Sequence, residues 1–151
     1  MLDINKRLMN AARKGSEAEL KALLRDPGCD VLAKDTNGLT ALMWAIRGGQ
    51  EACARLLLPV SDVLAKDVNG TTALMYAAGG GQEACTRLLL PSSDALAENK
   101  YGMTASMCAR DCGRESFAQF IDVYVLSQSE RSAIEVAVNL GALRKRAARR
   151  M

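Results

Sequence analysis

Cys108 and Cys112 stand four residues apart, a spacing that puts two side chains on one face of a helix. A thiol pair so placed could run a redox step or ligate a soft metal. Nothing around it completes such a site. The 151-residue chain contains no histidine, which removes the commonest general base and metal ligand. Any Ser-His-Asp or Cys-His nucleophile goes with it. The preferred reading makes Cys108 and Cys112 small, partly buried apolar side chains, a common use of free cysteine. A redox or enzymatic role would need a lowered thiol pKa there. Cys53 and Cys85 read as core. The cysteines number five, odd and scattered, so they form no evident disulfide framework and point to a reducing compartment.

Other candidate chemistry thins out in the same way. Gly79-Gly80-Gly81 could cradle a phosphate, but it lacks the Gly-Lys-Ser/Thr ending and follows a helical pattern instead of a strand. Most acidic side chains fall at turn starts (Asp35, Asp67) or early in a helix (Glu51, Glu83). There they can cap backbone N–H groups and complement a helix N-terminus. No metal site and no cofactor is expected. Arg144, Lys145, Arg146, Arg149 and Arg150 form a basic cluster at the end of the sequence. The plainer reading is a solvated helical cap, the sharper one a contact for an anionic partner. No aromatic residue interleaves the cluster, so a base-stacking platform is missing.

The elements that position these residues come from a passage repeated at a 32-residue offset. Asp35–Ala65 reads DTNGLTALMWAIRGGQEACARLLLPVSDVLA, and Asp67–Ala97 reads DVNGTTALMYAAGGGQEACTRLLLPSSDALA. Near-copies at this period mark a stacked-repeat protein, in which each unit buries its apolar face against its neighbours. Within the second copy, Asp67-Val68-Asn69-Gly70 is a turn and Thr72 is placed to cap a short helix. Gly79-Gly80-Gly81 ends that helix. Gln82 to Leu90 forms a second helix, closed by Pro91.

These residues resemble the ankyrin repeat. The matching elements are Asp-x-x-Gly-x-Thr, Leu-x-x-Ala, the central Gly, Arg-Leu-Leu-Leu and Asp-Val-x-Ala-x-Asp. The match is strong in 35–66 and 67–98. It continues through Tyr101-Gly102-Met103-Thr104-Ala105-Ser106-Met107-Cys108-Ala109, and upstream through Ala11–Gly15, Leu20–Leu24 and Gly28–Val31. The resemblance implies an all-α ankyrin-repeat solenoid with degenerate capping repeats at both ends. Five units are expected in a single domain, at 3–34, 35–66, 67–98, 99–127 and 128–151. In the fifth, Ser132–Gly141 would be a first helix and Leu143 onward a second. Met43 and Met75 stand where the family has histidine. Leu32, Leu64 and Leu96 replace the family's asparagine after Asp-Val.

The resemblance also implies a non-enzymatic module that binds another protein through its concave face and turn tips. The corresponding positions are Thr36, Asn37, Leu39, Trp44 and Arg47 in the second unit. They are Val68, Thr71, Tyr76 and Gly79 in the third, and Lys100, Tyr101, Met103, Cys108 and Asp111 in the fourth. Trp44 and Tyr76 occupy equivalent positions; as aromatics in a chain only 4% aromatic, they are the expected anchors, with packing on neighbouring helices as the alternative. Two alternatives stand beside this reading. One is an adaptor contacting nucleic acid or another anionic partner through Arg144–Arg150; the other is a microbial effector acting on a host protein. The net charge of +3 gives no general argument for nucleic acid or membrane. No apolar run reaches the roughly 20 residues of a membrane span. The start of the sequence reads unlike a secretory signal. A cytoplasmic chain, monomeric outside its complexes, is expected, with nuclear residence or delivery into a host cell as alternatives.

Overall fold

A computed structural model of the chain describes residues 3–150. Among the described residues the secondary structure is helical throughout: α1 (Ile4–Lys14), α2 (Glu17–Leu24), α3 (Ala41–Arg47), α4 (Glu51–Leu57), α5 (Ala73–Gly80), α6 (Glu83–Leu89), α7 (Ala105–Asp111) and α8 (Glu115–Arg149). Short 3-10 turns at Leu58–Val60 and Leu90–Ser92 follow α4 and α6. No described helix is long and apolar enough to cross a membrane.

The two central units are built by the same local chemistry, and the fourth shares its threonine cap. An aspartate opens the turn and its carboxylate accepts from the chain ahead: Asp35 Oδ1 takes the N–H groups of Asn37 and Leu39, both at 2.9 Å. Thr40, Thr72 and Thr104 then cap α3, α5 and α7 by accepting from the N–H three residues on. Gly81, at φ 67°, ends α5 in the left-handed conformation. Gly79 and Gly80 therefore belong to the helix they were expected to stop. Leu-Pro at 58–59 and 90–91 closes the second helices. The early glutamates of α4 and α6 do not cap; Glu51 pairs with Arg55 at 2.6 Å and Glu83 with Arg87 at 2.7 Å.

The helices form two layers. α1, α3, α5 and α7 pack side by side in one row, with α2, α4, α6 and α8 behind them. Packing is closer along the first row than along the second, so the stack curves with the first helices on its inner side. The core lies between the rows and repeats with the units, as in Leu42, Ile46, Cys53 and Leu57, then Leu74, Ala78, Cys85 and Leu89. Cys53 and Cys85 are core residues, as expected. The turn tips are stitched together by Val68 N–H donating to Asn37 O at 3.0 Å and Lys100 N–H to Asn69 O at 2.9 Å.

The chain departs from the expected units after α7. The fifth helix-turn-helix does not form among the described residues, which exclude Met151. Residues 128–149 instead continue α8 as one helix of 35 residues. Val123 stands at the 32-residue offset from Pro91, so the proline that closes α4 and α6 is missing here. Gly141, expected at the end of a first helix, is a lone glycine inside α8. Its cost of about 1 kcal/mol does not break a helix flanked by Ala, Leu, Arg and Lys.

Candidate functional site

The inner face of the second and third units carries two linked aromatic residues. Trp44 Nε1–H donates to Asp35 Oδ2 at 3.0 Å. Tyr76 OH donates to Asp67 Oδ2 at 2.5 Å. Each aspartate thus uses one oxygen to shape its own turn and the other to fix the ring on the following helix. Both rings are half-buried. Arg47 lies over both, with its guanidinium carbon 5.0 Å from the Trp44 centroid and 5.4 Å from that of Tyr76. A cation stacked this way is attracted to each ring face by about 0.5–2 kcal/mol, depending on burial. Burial first, then donation to Asp67, pushes the Tyr76 phenol up to about 12.

The fourth unit breaks the pattern in two places at once. Asn99 replaces the aspartate and Cys108 the aromatic residue. Asn99 Oδ1 still holds the turn, accepting from Tyr101 N–H at 2.9 Å and Met103 N–H at 3.1 Å. The smaller Cys108 leaves a groove of about 480 Å³ between α5 and α7. Arg47, Tyr76, Asn99, Met103, Cys108 and Asp111 line it. Its floor is mixed in polarity, with one cation and one carboxylate at its margins.

The groove therefore gathers Arg47, Thr71, Tyr76, Gly79, Met103, Cys108 and Asp111 from the positions expected to meet a partner. Thr36, Asn37, Val68, Lys100 and Tyr101 lie exposed along the turn tips, Tyr101 at 71%. Leu39 does not belong with them and is corrected to the core, at 1% exposure. The backbone bond from Asp35 N–H to Leu39 O at 3.0 Å closes the turn and directs this side chain inward. The groove margin also takes in Met75 and Gln82, which no spacing argument singled out.

The thiols are poorly set for chemistry. Burial raises the Cys108 pKa, and neighbouring Cys112 and Asp111 raise it further, opposite to what a reactive thiol needs. Cys112 is exposed at the end of α7. No group of three or more candidate metal ligands occurs among the described residues. Arg144, Lys145, Arg146, Arg149 and Arg150 are all exposed along the last turns of α8, away from the groove.

The aspartate-opened turn, threonine cap, helix pair and 32-residue period define an ankyrin stack. A family model described as ankyrin repeats (3 copies) matches residues 8–97 and again 60–127. The chain belongs to the ankyrin repeat family, whose repeats are generally protein–protein interaction modules. No curated protein matches it significantly.

Proposed function

We propose that this protein is a non-enzymatic interaction module whose partner is another protein, seated in the α5–α7 groove and against the turn tips. The observation that carries this reading is the Trp44–Arg47–Tyr76 stack at the groove margin. Aromatic and arginine side chains dominate interface hot spots, and ones already held in place lose little conformational freedom on binding. The stack is prefixed by Asp35 and Asp67. Tyr101, Val68 and Lys100 extend the contact along the tips, and Asp111 borders the far wall.

The test is capture of partners from native lysate, followed by affinity measurement on the identified protein. Trp44→Ala with Tyr76→Ala should weaken binding by more than about 2 kcal/mol while the helical signal persists. A chain truncated before Arg144 should bind as wild type. Binding that survives the aromatic substitutions but is lost on truncation would transfer the function to the basic end of α8. A steep salt dependence would then mark a nucleic acid partner.

A further inference from the structure

The outer part of α8 has no partner within the chain. From Gln128 to Arg150 every residue is exposed. Ile134, Val136, Val138, Leu140 and Leu143 are 54–65% exposed. A solvated helix is normally polar around most of its surface. Here Ala133–Leu143 includes only Glu135 and Asn139 as polar side chains. Contiguous apolar surface of this kind marks an interface.

The apolar positions have a register. Leu126, Ala133, Leu140 and Ala147 recur every seven residues, with Val136 and Leu143 interleaved and the polar Ser129 in the first interleaved place; Ile134 and Val138 lie outside this register. This is the a/d seam of a coiled coil, sustained over roughly three and a half heptads. Its root opens onto a groove of about 550 Å³, lined by Leu90, Asp94, Leu96, Tyr124, Gln128 and Ser129. Ser129 belongs to both, so groove and seam are continuous.

We propose that this seam binds α8 of a second copy of the chain, antiparallel and centred near Val138. In that register Leu140 meets the partner's Val136, Ala133 meets the partner's Leu143, and Ser129 meets the partner's Ala147. Leu126 is covered by the stem of the partner's Arg150. Val136 and Leu140 fill the central layers, and Ala133 faces the larger Leu143 in the layers beside them. A parallel pair would stack Ala133 on Ala133 and Arg150 on Arg150, and would set two five-cation clusters side by side. The antiparallel pair separates the clusters. It places Glu130 opposite the partner's Arg144 at a flanking position and brings the partner's Arg149 and Arg150 toward Asp94 at the groove. The charge pattern thus selects both the occupant and its direction.

Sedimentation velocity and light scattering on the full chain across a wide concentration range test this. Wild type should reach about twice the 16.2 kDa monomer mass. Val136→Glu with Leu140→Glu should stay at the monomer mass with an unchanged repeat-body melt by circular dichroism. Glu130→Arg should weaken the dimer about fivefold or more, and adding Arg144→Glu should restore it. The two residues lie about 21 Å apart along one helix, too far to pair within a chain. A wild-type chain that remains monomeric throughout overturns the proposal, including one that instead sediments with anionic vesicles. So does a dimer indifferent to the two seam substitutions, or a double charge reversal that fails to rescue.

Discussion

The guanidinium carbon of Arg47 sits 5.4 Å from the ring centroid of Tyr76, a residue of the next repeat. The same arginine covers Trp44 of its own helix. It makes no ion pair among the described residues, so its attraction to the two rings joins neighbouring units across the inner face. Arg47→Ala should lower stability by about 0.5–1.5 kcal/mol. In a double-mutant cycle with Tyr76→Leu, measured by urea unfolding, a coupling of at least about 0.5 kcal/mol is expected. Strict additivity would show that the stack contributes nothing between repeats.

Tyr76 predicts an alkaline transition. Its phenol is pushed from the usual 10 to about 12, first by burial and then by donation to Asp67. The neutral form is therefore favoured in the folded state. Its contribution is complete below pH 10 and is lost as pH rises through about 12, because the unfolded chain releases that proton first. Tyr76→Phe should flatten this part of the stability–pH curve relative to wild type. A spectrophotometric titration should show one late-ionising phenol that disappears in the variant.

Equivalent glycines should respond differently to alanine. A Cβ on Gly48 would lie 2.4 Å from the backbone oxygen of Arg13, in the preceding unit. On Gly80, 32 residues later, it would meet only the flexible side chain of Gln82, at 3.1 Å and beyond. Gly48→Ala should cost about 2 kcal/mol or more through forced separation of two units. Gly80→Ala should lie within about 0.5 kcal/mol of wild type, helped by better helix propensity. Thermal melts of the two variants decide the matter, and equal costs would contradict it.

Thr86 is fully buried and its Oγ1 has no hydrogen-bond partner. The equivalent residue in the preceding unit is Ala54, also buried. Removing the hydroxyl relieves an unpaired polar group worth about 1–3 kcal/mol, against roughly 1 kcal/mol for the lost methyl. Thr86→Ala should therefore stabilise the protein slightly, read as a higher denaturant midpoint at unchanged slope. A clear drop in midpoint would mean that the hydroxyl is satisfied in solution.

The units and their caps were readable because local rules set them. Aspartate, glycine and threonine each act within a few residues, and the 32-residue period exposes their recurrence. Trp44 and Tyr76 could be singled out for the same reason. The Arg47 stack could not, since it depends on the distance between helices that no single unit specifies. Leu39 reads as exposed from its place in a turn, whereas closure of that turn points it into the core. The long α8 carries one signal in the sequence, Val123 where the preceding units have proline.

The substitution of valine for proline at 123 also limits how the array can grow. The two central units are near-copies, so lengthening by duplication is open in the middle of the stack. Beyond α7 the chain is carried on an unbroken helix about 39 Å past Val123 before Arg149. The rod carries the chain off the stack at this end, whereas the near-copied units show that reach can vary in the interior.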